Sequence, residues 1–344
     1  HAHSDWMFFS ACKFIMCIPI VCIFTYLGKE KSTIFERTTL WCCICLSILM
    51  ILQNSGLNIK GFARELSIPV INSPWNEKYH SFWLVFSIWP SLFYTWFDDS
   101  KYKLLSILLI IYSSIAIITS YSQSAKLAMV ASICIFTISR IHPKKVWNYS
   151  VFILLSYILF FPIFWQFLPS SEWQWMPHKV QGRFLLFETA SNAIKDKWFL
   201  GYGFGSTLSL QIANHIPEAM SSSALASNYT DGHNGLFPGA HPHNIVALIW
   251  LDFGAVGTVI FSIFMYRASC HFSPIVEAHR VGPIIIALIF SAVVIFSFSF
   301  SIWLTDVMLT YTMFFSCLMS IASKSHHKRW TISERENNHK PIYP

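Results

Sequence analysis

Two stretches of the chain gather residues able to act on a polar substrate. The first is AHPHNIVALIWLDFGAVG, Ala240 to Gly257, in which His241, His243 and Asn244 stand at the lip of an otherwise apolar segment. The second, GRFLLFETASNAIKDKWFLGYGFG, begins at Gly182 and carries Arg183 ahead of a run of three closely spaced glycines, Gly201, Gly203 and Gly205. A neutral imidazole can take the proton of an attacking hydroxyl. A guanidinium can hold a phosphate through two parallel hydrogen bonds, with a lysine adding a point charge. Together these residue types suit transfer from a phosphate-linked donor.

The local signals around His243 sharpen this reading. Pro242 favours the first turn of a helix, so the helix over 243–266 is expected to begin at His241 or Pro242. His243 would then sit among unsatisfied N–H groups at a positive helix end, which keeps an imidazole neutral and attracts anions. Gly254 follows at about three turns of ~3.6 residues, and Gly257 is nearly in line, so His243 and the two glycines should share a face packed on a neighbouring helix. An alternative is a simple cap or interface histidine. No metal site is expected: His241 and His243 are two apart, and the long loops supply no cysteine or His-x3-His pair. GYGFG lacks the strand and the Lys-Ser/Thr of a nucleotide loop, so it reads as a helix-terminating turn. Arg183 heads a helix expected over 183–198, with Phe184, Phe187, Ala190, Ala193, Ile194 and Trp198 on one face, lying along a membrane surface. On such a helix an arginine can also be a plain exposed charge.

The elements that must hold these residues follow from composition. Of 344 residues, 54% are hydrophobic and 12% charged, well below the roughly 25% charged of soluble domains. About nine apolar runs approach the ~20 residues that cross a bilayer: 7–27, 38–57, 81–97, 104–120, 126–140, 147–168, 243–266, 282–302 and 304–322. Pro90 and Pro162 lie inside two of them, where neighbouring groups must satisfy the freed carbonyls. The fold class expected is an all-α polytopic integral membrane protein. The expected layout is N-terminal spans over 1–168 with an outer loop at 58–80, a large outer loop at 169–242 ending in a flexible lid, spans over 243–322, and a tail from 323. If 140–146 is cytoplasmic, then 28–37, 98–103, 267–281 and the tail are too, and these hold fifteen of the 24 basic residues, as the positive-inside rule requires. The amino terminus would then lie outside, which suggests that upstream spans precede it or that the first span is misassigned. The nine cysteines avoid both long outer loops, so no disulfide framework is expected. The net charge of +7 is spread along membrane edges and forms no nucleic-acid patch.

His243-Asn244, nine residues, Gly254, two residues, Gly257 resembles the H-N-x9-G-x-x-G signature of the O-antigen ligase superfamily. That superfamily includes lipopolysaccharide O-antigen ligases, related glycan polymerases and protein O-oligosaccharyltransferases. The stretch from Gly182 to Gly205 is similar to its pattern of an arginine, an aromatic-containing helix and a Gly-x-Gly-x-Gly turn, and Asp252 stands where many members carry Glu. The resemblance runs from about Ser113 to Gly257. It implies a GT-C-like glycosyltransferase of the bacterial inner membrane, its active site in a periplasmic loop with interfacial helices, needing no metal or other cofactor. The implied donor is a glycan on undecaprenyl diphosphate, and the acceptor is lipid A-core or another glycan. Carried over, His243 and Arg183 are catalytic, with Asn244, His241, Gln123 and Lys126 binding substrate. Gln123 stands where the family has an arginine, a departure that Lys126 can offset. A polymerase of the same fold, a transporter of lipid-linked glycans and a catalytically silent homologue are the competing readings. A transporter predicts mid-membrane charges and paired repeats of broken helices, whereas the expected spans hold few charges beyond Lys13 and Asp252 and the sequence shows no internal repeat.

Overall fold

The computed structural model describes helical residues between 41 and 52, then 75–96, 103–168, 175–176, 178–204, 242–278 and 281–298, with Leu210 and His215 besides. Expectations for 7–27, 58–74, 304–322, the tail, His241, Gly205 and most of 169–242, including the lid, fall outside the described residues. Among the described residues every regular element is a helix. We number them α1 (Trp75–Trp96), α2 (Lys103–Thr119), α3 (Gln123–Ser139), α4 (Pro143–Gln166), α5 (His178–Asp196), α6 (Ile245–Ala278) and α7 (Gly282–Phe298). The expected apolar runs between 81 and 168 become helices with ends shifted by a few residues; that of 243–266 becomes α6, which extends to Ala278, and that of 282–302 becomes α7, described as far as Phe298.

Two compact units divide the chain. The unit holding residues 14–144 is built on α1, α2 and α3, which pack on one another. Between Ser81 and Phe93 nearly every residue of α1 is buried, Trp89 and Phe86 among them. Trp89 meets Phe136 of α3 at 5.6 Å between ring centres. Beside the large Leu109 and Ile117 of α2, the contact faces carry small residues: Ser106, Ser113 and Ala116 of α2, and Ala125, Ala128 and Ser132 of α3. The Ser47 and Ser113 hydroxyls lie 3.2 Å apart. Small residues let helix backbones approach closely where lipid replaces the hydrophobic drive.

The outer surfaces are apolar. Leu104, Ile111, Ile115 and Ile118 form an exposed stripe on α2; Leu127, Val130, Ile133 and Ile138 do so on α3; Phe152, Phe160, Ile163 and Phe164 do so on α4. Soluble monomers rarely expose contiguous apolar surface on this scale, and a bilayer solvates it. Among the described residues two helices are long and apolar enough to cross a membrane, Pro143–Gln166 and the Ile245–Glu277 part of α6. The segment 267–281, expected as a cytoplasmic loop, is largely helical instead, because α6 runs on to Ala278 through Pro274.

The unit holding residues 145–273 places α5 against α4 and the first half of α6. Its core joins Ile158, Phe161 and Trp165 of α4, Phe187, Ala190, Ala193 and Ile194 of α5, and Val246, Ala247 and Leu251 of α6. The helix expected over 183–198 thus spans 178–196, and it is a core element. Every residue from Leu185 to Ile194 except Asn192 is buried, Glu188, Thr189 and Ser191 included. This corrects the picture of α5 as an amphipathic rod on a membrane surface: polar residues on its second face are covered too. Trp198, assigned to the apolar face, lies beyond the helix and is exposed.

Pro162 illustrates how an interrupted helix is repaired. Proline has no N–H, so the carbonyl four residues earlier, Ile158 O, loses its helical partner. The Trp250 indole of α6 donates to it at 2.7 Å. The neighbouring Pro162 carbonyl accepts from Ser191 of α5. Replacing Trp250 with Phe keeps the ring and removes the donor. We expect a loss of about 1–3 kcal/mol, read as a lower midpoint of thermal unfolding in detergent.

Candidate active site

The helix carrying the histidine motif starts later than its proline suggests. Its first residue is Ile245, and Asn244 caps it, the Oδ1 accepting from Val246 N at 2.8 Å and Ala247 N at 3.1 Å. Pro242 and His243 precede the helix, and His243 holds φ 57°. His243 is therefore not a first-turn residue. The Asn244 cap wins over the proline because its short amide satisfies two orphan N–H groups at once, which proline at the first position cannot do. A non-glycine residue in the left-handed region stores about 1–3 kcal/mol of strain, and here it sits on the half-buried histidine of the motif.

Asn244 is saturated by the protein itself. Besides capping, its Nδ2 donates to the Tyr157 hydroxyl of α4 at 2.8 Å and to Ser297 O of α7 at 3.0 Å. All of its hydrogen-bonding capacity goes into joining three helices at the point where the chain turns into His243. Tyr157 and Ser297 were missed in the sequence. Neither belongs to a recognisable motif, and only the tertiary fold brings them to Asn244.

The glycines also do something other than expected. Gly254 takes φ 60° and ψ −158°, conformations outside the helix, so α6 is two helices joined at a break. The shared-face argument linking His243, Gly254 and Gly257 fails, since neither His243 nor Gly254 lies on a continuous helix. Into the break fits the glycine turn that follows α5. Tyr202 N donates to Leu251 O at 2.7 Å and Gly203 N to Asp252 O at 3.0 Å. In return Ala255 N donates to Trp198 O at 2.7 Å and Val256 N to Phe199 O at 3.2 Å. Two carbonyls and two amides released by the break are thus re-paired by one segment. The close approach requires glycine on both sides. A Cβ on Gly254 would stand 2.5 Å from Gly201 N and Phe199 O, and one on Gly201 would stand 2.7 Å from Gly254 N. Gly201 itself has φ 73° and Gly203 φ 98°. A Cβ on Gly257 would fall on the Cβ of Phe253. Beyond ending α5, as expected, the GYGFG turn is the mate of the broken helix. Tyr202 secures it further: its hydroxyl donates to Ala193 O at 2.9 Å, and burial, then the Asp196 carboxylate, raise its pKa so that it keeps this proton.

This junction sets where the other candidates stand. Both α5 and the first half of α6 run toward it, and they pack along their lengths through Phe187, Ala190, Val246 and Ala247. Phe187 also meets Phe298, 6.1 Å between ring centres, next to the Ser297 carbonyl that holds Asn244. Arg183 lies one turn before Phe187. Hence Arg183, half-buried with a buried Nη1, and His243 belong to the same end of this helix pair. Gln123 and Lys126 sit in the other unit, at the start of α3, which Ser122 caps through Ala125 N. Gln123 is exposed and Lys126 half-buried. Among the described residues no three His, Cys, Asp or Glu side chains group as a metal would require.

Among the described residues, helices with lipid-suited surfaces and a broken apolar helix define a membrane protein. Residues 108–262 match the family described as O-antigen ligase. This segment, less than half of the chain, carries every described candidate residue, and through it the chain is similar to the O-antigen ligase superfamily. No curated protein and no solved structure matches the chain.

Substituting Gly254 with Ala should cost on the order of 3 kcal/mol, combining a forbidden backbone conformation with overpacking; chemical denaturation in detergent would measure it. Asn244→Ala removes the cap and the tie to Tyr157 and Ser297. Its expected effect is a loss of about 2 kcal/mol or more together with loss of activity, checked by the same unfolding midpoint and a transfer assay.

Proposed function

We propose that the protein is a membrane glycosyltransferase of the ligase type, passing a glycan from undecaprenyl diphosphate to an acceptor hydroxyl at the periplasmic face of the bacterial inner membrane. What supports the reading is that Phe187 and Val246 share one core cluster, with Arg183 one turn before the first and His243 three residues before the second, inside the family-matched segment. Arg183 holds the departing diphosphate, whose charge grows as the glycosidic bond breaks, and can do so bidentately. His243 orients the acceptor hydroxyl, or removes its proton as the oxygen attacks the anomeric carbon. Attack opposite the leaving diphosphate inverts that centre. Asn244 performs the structural task beside it, capping α6 and tying it to Tyr157 and Ser297. Asn244 is thus a positioning residue in the proposal, with no donor or acceptor left for a sugar. The acceptor we favour is lipid A-core. For Gln123, Lys126 and His241 the proposal is a contact to substrate, as the resemblance implies.

The test is an assay of purified protein with undecaprenyl-diphosphate-linked glycan and candidate acceptors. His243→Ala and Arg183→Ala should each lower the transfer rate by about 100-fold or more. Arg183→Lys should recover only part, since an ammonium cannot make the paired contact. Transfer at wild-type rates by both alanine variants would remove the pair from the mechanism. Product glycans lengthened on the lipid carrier, with none on lipid A-core, would replace ligation by polymerisation.

A further inference from the structure

Trp198, Phe199 and Leu200 are consecutive, large and apolar, and they are 59%, 54% and 67% exposed. They form the tip between α5 and the glycine turn, preceded by the exposed Lys195 and Lys197. The tip is held firmly. Two of its carbonyls accept from Ala255 N and Val256 N across the break in α6, and Gly201 N closes the turn on Lys197 O at 2.9 Å. The Trp198 and Phe199 rings meet edge-on at 5.4 Å. A fold that fixes the backbone of three large apolar side chains while leaving those side chains uncovered is presenting them to something.

What covers them is indicated by α6. Before the break, Val246, Ala247, Leu248, Ile249, Leu251 and Asp252 are all buried. After it, Val256, Val259, Ile260, Ile263 and Phe264 are exposed, at the i, i+3, i+4, i+7, i+8 spacing of a single helical stripe. The helix thus changes surroundings at Gly254, from protein on its sides to an apolar solvent. From Gly254 this apolar surface runs about 18 Å to Tyr266 at ~1.5 Å per residue, ahead of the exposed Arg267 and His271. The exposed tip is pinned at the start of that stripe.

We infer that residues 195–200 are an interfacial anchor, inserted into phospholipid at the level where α6 enters the hydrocarbon. Trp198, Phe199 and Leu200 occupy the boundary between headgroups and acyl chains, where aromatic rings concentrate. Lys195, whose Nζ donates to Asn192 Oδ1 at 3.2 Å, and Lys197, whose Nζ lies 4.9 Å from the centre of the Tyr202 ring, put positive charge beside the lipid phosphates. Asp196, the acidic member of the run, is drawn instead to His215, with its carboxylate 3.5 Å from Nδ1. The break is therefore the bilayer boundary for α6, and the anchor fixes the depth of the site that α5 and the first half of α6 carry. The inference rests on the membrane reading of the chain, and it is independent of which glycan is transferred.

The full chain in nanodiscs of phosphatidylethanolamine and phosphatidylglycerol, with a photo-reactive benzoylphenylalanine at Leu200 and separately at Ile260, would test it by mass spectrometry. Phospholipid adducts at both positions are expected. Lipid adducts at 260 with none at 200, or attachment of position 200 to protein alone, would overturn the anchor. Adducts at neither position would overturn it together with the membrane placement of α6. Trp198→Ser with Leu200→Ser gives a second reading in the same nanodiscs: a tip that sits in lipid should show increased hydrogen exchange at Lys197 to Phe204. Unchanged exchange in the variant would count against insertion.

Discussion

The break in α6 is the constraint on which the site depends. A helix opened among buried apolar side chains leaves backbone carbonyls and amides without partners, each costing several kcal/mol if unpaired. Here the cost is met by one short segment that supplies two amides and two carbonyls in register. That solution works only if the two backbones nearly touch, which is why Gly201 and Gly254 face one another. Once they do, α5 and α6 have a fixed point in common. The packing of Phe187, Ala190, Val246 and Ala247 then determines which ends of the two helices meet.

The division of labour at the motif follows. His243 and Asn244 are adjacent in sequence yet differ in kind. Asn244 is buried and spends each of its hydrogen-bonding groups on the fold, while His243 is half-buried and sits in a strained conformation just outside the helix. Rigid support beside a strained functional residue is a common way to hold a side chain in a geometry it would not choose alone. The Asn244–Tyr157 bond is the most direct link between α4 and this point.

Much of the helical layout could be read from apolar runs, since helices in lipid must be long and apolar whatever their partners. Candidate residues could be found for a similar reason: Arg183, His243 and Asn244 are polar groups where polarity is costly. The failures share a physical cause. Pro242 gives a local signal for a helix start, but Asn244 offers two hydrogen bonds and prevails. Periodicity from His243 to Gly254 presumes an unbroken helix, and only the approach of Gly201 reveals the break. The apolar spacing of α5 predicts one buried face correctly in Phe187, Ala190, Ala193 and Ile194, yet it cannot show that Glu188, Thr189 and Ser191 are covered as well. Trp250 and Tyr157 read as ordinary membrane aromatics until the carbonyl of Ile158 and the amide of Asn244 give their polar ends a task.

Because the junction ties Tyr202 and Gly203 to Leu251 and Asp252, the sequence from Phe204 to the start of α6 joins two elements that are already paired with each other. Where the ends of a connection are held in this way, each doubling of its length adds only about 0.6 kcal/mol of closure entropy. Insertions or deletions in that stretch can therefore change what lies near His243 while the paired helices stay in place. On the proposed reading, recognition of the incoming molecule and retention of the reacting geometry are separable properties, open to change at different rates.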